Sequence, residues 1–386
     1  MKVLGATADL PEQAYRRDMD VTRRAALAGL VGGGLALAAV PAAAARTAAA
    51  LTLEQQVGQL LAAGVPFGDI ATAGALVTDH HVGTVFWAGR SDAGVRGLAA
   101  DNAAVQRRCT TAATGGVLAF TALDQEGGQV QSLRGPGVSD IPSALEQGRS
   151  ATAVVEQRAA TWSRQLRQAG FTMNLAPVTD VVPYALRRTN VPIGRYDREL
   201  GYTGEAVAAA TAAWVRGSRA SRVEPVLKHF PGLGRVTADT DTTYGVHDDG
   251  TPRTSGTLTP WRAPLAAGAG AVMVSSAIYD LIDPTVQAFR SPVVVGGFLR
   301  RDLGFRGVVM TDDVGRAAAV RYVPVPDRAV QHVEAGGDLV LTVVPDQVPV
   351  MADALMSLAR RSSTFQRYVR ASAARVLALK AREGLA

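Results

Sequence analysis

The sequence predicts a single-domain α/β protein, a TIM-type (β/α)8 barrel preceded by a signal segment. Three observations predict it. Seven short apolar runs recur along the 386 residues, Ala- and Arg-rich stretches with helical periodicity separate them, and ionisable residues stand where several of the runs end. A chain of this length, 47% hydrophobic and with 40 glycines spread along it, can bury one large core or at most two ordinary ones.

The signal segment comes first. Residues 20–46, DVTRRAALAGLVGGGLALAAVPAAAAR, set Arg23-Arg24 ahead of a weakly apolar Ala/Gly/Leu stretch that ends in small residues near Ala45. This is the twin-arginine export pattern with an A-x-A cleavage region, so residues 1–46 are expected to be the signal and residues 47–386 the barrel domain. The rival is an uncleaved membrane anchor, but the stretch is short and Gly-rich for a span of ~20 residues. No cysteine directly follows it, so a lipid anchor there is not expected. The expected location is extracellular or in the cell envelope.

The apolar runs follow in order: VGTVFWAG (82–89), GVLAFTALD (116–124), FTMNLAPVTDV (171–181), VEPVLKHF (223–230), AGAVMVSSAIY (269–279), FRGVVMTDD (305–313) and GGDLVLTVV (336–344). None alternates cleanly, as befits strands buried on both faces of a parallel sheet. Between them, stretches such as AVAAATAAWVRG (206–217) carry helical spacing. Strand and helix repeated seven or eight times fit a closed barrel better than a doubly wound sheet, and no GxGxxG follows the first run. In a barrel the strand C-termini share one face, so Asp124, Asp180, Lys228-His229 and Asp312-Asp313 should converge on one pocket.

Composition excludes some partners. The formal charge is +6, but the arginines are scattered, aromatics make up 5%, and no basic run tracks a phosphate backbone, so nucleic acid is not expected. Lysine occurs only at positions 2, 228 and 380, which makes Lys228 informative: an ammonium, not a guanidinium, is retained there. Cys109 is the only cysteine and reads as a small buried hydrophobe. No Cys/His spacing suits zinc.

Taken alone, the candidate residues are several carboxylates and one Lys-His pair, with no Ser-His-Asp set. Glycoside hydrolysis needs a carboxylate to meet the oxocarbenium-like carbon and a proton donor for the leaving oxygen. The set fits that demand and fits other chemistry too.

The motifs LDQEGGQVQSLRG, NLAPVTDV, KHFPG, VMVSSAIYDLIDP, FLRRDLGFRGVVMTDD and EAGGDLVLT occur in an order and spacing that resemble glycoside hydrolase family 3. The likeness runs from about Leu51 to about residue 380 and is greatest to the single-barrel branch of β-N-acetylglucosaminidases. The resemblance implies a barrel, a retaining two-step mechanism, and neither metal nor cofactor. It implies that Asp312 is the nucleophile and leaves Asp313 the better candidate to cap the following segment. It implies that Asp124, Lys228 and His229 grip the non-reducing sugar. For His229, a buried structural histidine is an equal alternative. Arg195 is taken as the arginine of the IGxR motif, with Arg198 at shifted spacing as its rival.

This sequence also departs from the family pattern. In LKHFPGLGRVTADTDTTYG (227–245), Asp239 stands at the family's Asp and Asp241 at the family's acid/base His, while Leu233 replaces the second His of KHFPGHG. Gln129 and Ser132 stand where the family has arginines. Three readings stay open: Asp241 or Asp239 is the acid, raised by a second carboxylate and by desolvation; His247 folds back to donate; or the acid is lost and the chain only binds sugar. The expected protein is an exported, monomeric hydrolase of terminal β-linked N-acetylglucosamine, acting on cell-wall glycans. A β-glycosidase of another specificity and a noncatalytic carbohydrate-binding protein are the alternatives.

Overall fold

Eight parallel strands follow one another round a barrel in chain order: β1 (Leu61–Pro66), β2 (Thr84–Ala88), β3 (Phe120–Leu123), β4 (Met173–Asn174), β5 (Glu224–Phe230), β6 (Ala271–Val274), β7 (Val308–Thr311) and β8 (Val340–Thr342). β8 pairs with β1 through Leu61↔Val340, and a bridge between Met310 and Leu339 joins β7 to β8, so the sheet has no free edge. This computed structural model describes residues 41–386. Arg23-Arg24 and the apolar stretch of the expected signal lie outside the described residues. The expected boundary after residue 46 falls inside a helix, Ala42–Ala50, whose Ala44 and Ala48 are buried. Among the described residues no helix is long and apolar enough to cross a membrane.

All seven runs contain strands. The eighth, β1, lies in LLAAGVP, which sequence reading did not separate from the helix Leu53–Gln59 just before it. The strand period of two decides which side chains fill the barrel. Ala62, Phe86, Phe120, Ala122, Met173, Val226, Met273, Met310 and Leu341 point inward and form one cluster. Their neighbours Leu61, Ala63, Val85, Trp87, Leu227, Val272 and Val309 pack outward on the helices. The C-terminal helix Ser363–Glu383, capped by the Ser362 hydroxyl, contributes Val376 and Leu379 to the inner cluster, and so does Leu385 just beyond it. Each fully buried side chain of this size contributes about 1.5–3 kcal/mol of transfer free energy.

Loops after the strand C-termini are long, and they carry the polar residues. The loop after β5 is pinned at two points. The Tyr279 hydroxyl donates to the Gly232 carbonyl at 2.9 Å. Gly234 packs so closely that an added Cβ would lie 1.9 Å from the Val181 carbonyl oxygen, which holds this loop against the one after β4.

Candidate active site

The floor of the site is a buried charge network. Asp124 follows β3, Lys228 and His229 end β5, and Asp180 follows β4. Lys228 Nζ donates to Asp124 Oδ1 at 2.7 Å and contacts Glu126 Oε1 at 2.6 Å. Glu126 in turn receives Arg198 in a two-pronged pair, at 2.7 and 2.9 Å. Burial alone would raise the Glu126 carboxyl, but Arg198 and then Lys228 outweigh it and hold it down to about 2. Burial likewise opposes charge on Lys228, but Asp124 and Glu126 raise its ammonium above its ordinary value. Two cations thus meet two carboxylates, and Asp124 is the most exposed of the four, at 28% of its side chain.

Sequence reading did not single out Glu126, and the structure brings Arg198, not Arg195, to it. Arg195 is exposed, with its guanidinium 5.9 Å from the centre of the Tyr196 ring, and takes no part in the network. Arg198 enters instead. Asp197, between them, adopts φ 52°, so the short helical turn Gly194–Tyr196 ends there and the next side chain is redirected. The Arg198 Nη1 also donates to the Pro192 carbonyl at 2.7 Å, which fixes the guanidinium plane toward Glu126.

His229 is held from one side. Its Nδ1 lies 2.7 Å from Asp180 Oδ2, while Asp180 Oδ1 accepts the backbone N–H groups of His229 and Leu233, each at 3.0 Å. A carboxylate accepts, so the proton of this pair sits on Nδ1 and Nε2 is the nitrogen left for a ligand. His229 is buried and paired, and it stands near enough to Asp241 to lower that carboxyl's pKa. Leu233 turns its side chain into the core.

A second group of carboxylates, Asp239, Asp241, Asp312 and Asp313, stands on the loops after β5 and β7. Asp312 follows β7, half-buried, its backbone N–H donating to the Val274 carbonyl at 3.2 Å and its Oδ1 accepting from the Asp313 N–H at 2.9 Å. Asp313 has the turn role: its carboxylate accepts from the N–H groups of Gly315, Arg316 and Val343.

The Asp-Thr-Asp loop is fastened to the loop that bears Asp312. The Ala318 N–H donates to the Asp241 carbonyl and the Ala319 N–H to the Thr240 carbonyl, both at 3.0 Å. Asp241 is open to solvent on one side, yet protein atoms crowd its carboxyl. That desolvation, then repulsion from Asp312, Asp239 and Asp313, pushes it up to about 7. Asp239 is engaged in the turn itself: Oδ1 accepts the Asp241 N–H at 2.9 Å, and its carbonyl accepts from Thr242 and Thr243. His247 does not sit on a free loop. It lies in a short strand, His247–Asp248, paired with Ile278–Tyr279, and its Nδ1 is 2.7 Å from Asp280. Where the family has arginines, Gln129 is exposed and Ser132 is tied by its N–H to the Asp124 carbonyl at 3.1 Å.

The site therefore brings together a charge-balanced floor, the Asp312 carboxylate at the end of β7, and on the neighbouring loop the Asp241 carboxyl, raised to about 7. Comparison with known proteins gives the family of the chain. The profile of the glycosyl hydrolase family 3 N-terminal domain matches residues 52–379. A solved β-N-acetylhexosaminidase from Beutenbergia cavernae superposes with a TM-score of 0.84 at 46% identity, covering 86% of this chain and 99% of that one. A family 3 β-N-acetylglucosaminidase from a Paenibacillus species gives a TM-score of 0.79 at 31% identity, over 87% of this chain and 63% of that one. A curated β-hexosaminidase of Stenotrophomonas maltophilia is 38% identical over 238 residues, 58% of this chain and 67% of its own length.

Proposed function

The chain belongs to glycosyl hydrolase family 3, and from that premise we infer a retaining β-N-acetylhexosaminidase that releases terminal β-linked N-acetylglucosamine, with Asp312 as nucleophile and Asp241 as acid/base. The names of the relatives support the sugar. The observation that carries the mechanism is the fastening of Asp241 to the Asp312 loop, with its carboxyl raised to about 7.

The floor fixes the terminal sugar. Asp124 accepts from its hydroxyls, Lys228 donates, and charge-assisted bonds of this kind position a polyol more sharply than neutral ones. Asp312 then attacks the anomeric carbon as the bond to the leaving oxygen breaks, and the proton of Asp241 goes to that oxygen. A glycosyl ester on Asp312 and a free alcohol result. In the second step Asp241, now a carboxylate, takes a proton from water. The hydroxide oxygen displaces Asp312 from the opposite side, giving the sugar with its starting configuration and restoring both carboxyls. A histidine in this place would be neutral or cationic; a carboxylic acid must be kept protonated, and the surrounding carboxylates serve that end.

The expected setting is outside the cytoplasm. The Arg23-Arg24 pattern supports twin-arginine export, and amino-sugar glycans of the cell wall are then the polymer at hand. Fractionation and N-terminal sequencing of the mature chain test this.

Hydrolysis of a 2,4-dinitrophenyl β-N-acetylglucosaminide, the matching β-glucoside and N,N′-diacetylchitobiose tests the reaction. Turnover of the two N-acetylglucosaminides is expected; departure of the activated phenol needs only Asp312, departure of the disaccharide's alcohol also needs the proton of Asp241, and both intermediates need Asp241 as base. Preference for the glucoside overturns the sugar assignment. Silence on all three, with sugar still bound, makes the protein a carbohydrate binder.

A further inference from the structure

Among the described residues, the exposed large apolar side chains include Tyr184, Tyr244, Leu281 and Tyr322, all on loops that follow barrel strands. Two of these stand together. The rings of Tyr244 and Tyr322 meet edge to face, with centres 4.7 Å apart and planes at 90°. The Arg321 guanidinium lies 5.3 Å from the centre of the first and 4.8 Å from the second. Despite this mutual packing the residues remain 45% and 49% exposed. Two tyrosines and an arginine locked in one arrangement, with apolar faces left in water, have a cost that a ligand can remove.

We propose that Tyr244 and Tyr322 form the leaving-side sugar subsite of this enzyme, a stacking platform for the pyranose ring released with the aglycone oxygen. The placement follows from the chain. Tyr244 lies three residues after Asp241, and Tyr322 lies in the segment whose Ala318 and Ala319 N–H groups hold Asp241 and Thr240. The platform thus bridges the loop of the acid and the loop of the nucleophile. An acid that protonates the leaving oxygen stands on the leaving side, so a ring surface contiguous with it also flanks that side. The cations Lys228 and Arg198 are paired with Asp124 and Glu126 on the floor, which the proposed function gives to the terminal sugar. A pyranose presents a face of C–H groups that matches an aromatic ring and costs little rotamer entropy to bind, because the arginine already holds the tyrosines.

The inference rests on the hydrolase reading, and the test separates the two. Rates of N,N′-diacetylchitobiose and of β-N-acetylglucosaminyl fluoride are compared in wild type, Tyr244→Ala, Tyr322→Ala and Tyr322→Phe. Fluoride is too small to reach the platform. For each alanine variant kcat/KM for the disaccharide should fall about five- to tenfold, the size of one aromatic contact, while the fluoride changes less than about twofold. Tyr322→Phe should keep both rates, since the ring face remains. An unchanged ratio of the two substrates in the alanine variants overturns the platform, whether both rates survive or both fall. Wild type inactive on both overturns the hydrolase reading and the platform with it.

Discussion

The floor of the site and the loop above it use carboxylates in opposite ways. On the floor, Glu126 and Asp124 face Lys228 and Arg198, every charge has a partner, and the Glu126 carboxyl is held down to about 2. In the loop, Asp241 faces Asp312, Asp239 and Asp313, and its carboxyl is pushed up to about 7. Binding needs charges that never change during turnover, and compensation gives that. Acid catalysis needs a proton that leaves and returns near working pH, and crowding of like charges gives that. The same residue type serves both because the neighbours differ.

Breaking the uncompensated side should have the largest effect. Asp312→Ala is expected to lower kcat/KM on every substrate by on the order of 10⁴-fold, while calorimetry still detects N-acetylglucosamine binding. Asp241→Asn should cost about 10²–10⁴-fold on N,N′-diacetylchitobiose. It should cost far less in formation of the glycosyl-enzyme from the dinitrophenyl substrate, whose leaving group needs no proton. In wild type the disaccharide rate should fall as pH rises through about 7, because a carboxyl raised that far loses its proton there. A pH profile of kcat/KM checks it.

Breaking the compensated side should act on stability. Glu126→Gln removes the shared partner of Lys228 and Arg198 and should destabilise the fold by about 3 kcal/mol in urea titrations at neutral pH. The sign with pH follows from the shift: the folded carboxyl titrates near 2 instead of 4.5. Its stabilisation is complete above the ordinary value and is lost as pH falls toward 2, so the gap between wild type and variant should close in acid.

The smallest effect sharpens the comparison from another corner. Lys380 is as buried as Lys228, but it donates to a neutral amide, Gln59 Oε1 at 2.6 Å, and burial pushes its ammonium down from 10.5 to about 7. From about 7 to 10.5 the unfolded chain holds this proton and the folded chain does not, so wild-type stability should gain with pH across that window. Lys380→Met should remove that slope and stabilise the protein at neutral pH by on the order of 1 kcal/mol, as measured by denaturation.

The sequence reveals features that repeat or that sit at strand ends, and conceals those fixed by distant pairing. Apolar runs mark seven strands because both faces of each are buried; β1 hides because LAAGVP has one β-branched residue, Val65, and follows a helix directly. Asp124, Lys228, His229 and Asp312 are legible from their phase with the strands. Glu126 is concealed by the Gly-Gly after it, which reads as a turn, and its partner lies 72 positions away. Arg198 rather than Arg195 enters the site because the backbone reverses at Asp197, and spacing alone carries no trace of that. Asp241 could be singled out by its place in the motif, but its fastening to Ala318 and the resulting distinction from Asp239 and His247 arise only when two loops meet.

The assignment of Asp241 as acid/base is most directly tested by rescue with azide. Asp241→Gly, Asp239→Gly and His247→Ala are each given the dinitrophenyl β-N-acetylglucosaminide with and without sodium azide, and the product is identified by NMR. Without an acid/base the glycosyl-enzyme accumulates, and a small anion that needs no deprotonation can enter the vacated space and attack it. The account predicts acceleration by azide and formation of the β-glycosyl azide in Asp241→Gly alone. Rescue in Asp239→Gly or His247→Ala, with Asp241→Gly indifferent to azide, would contradict it.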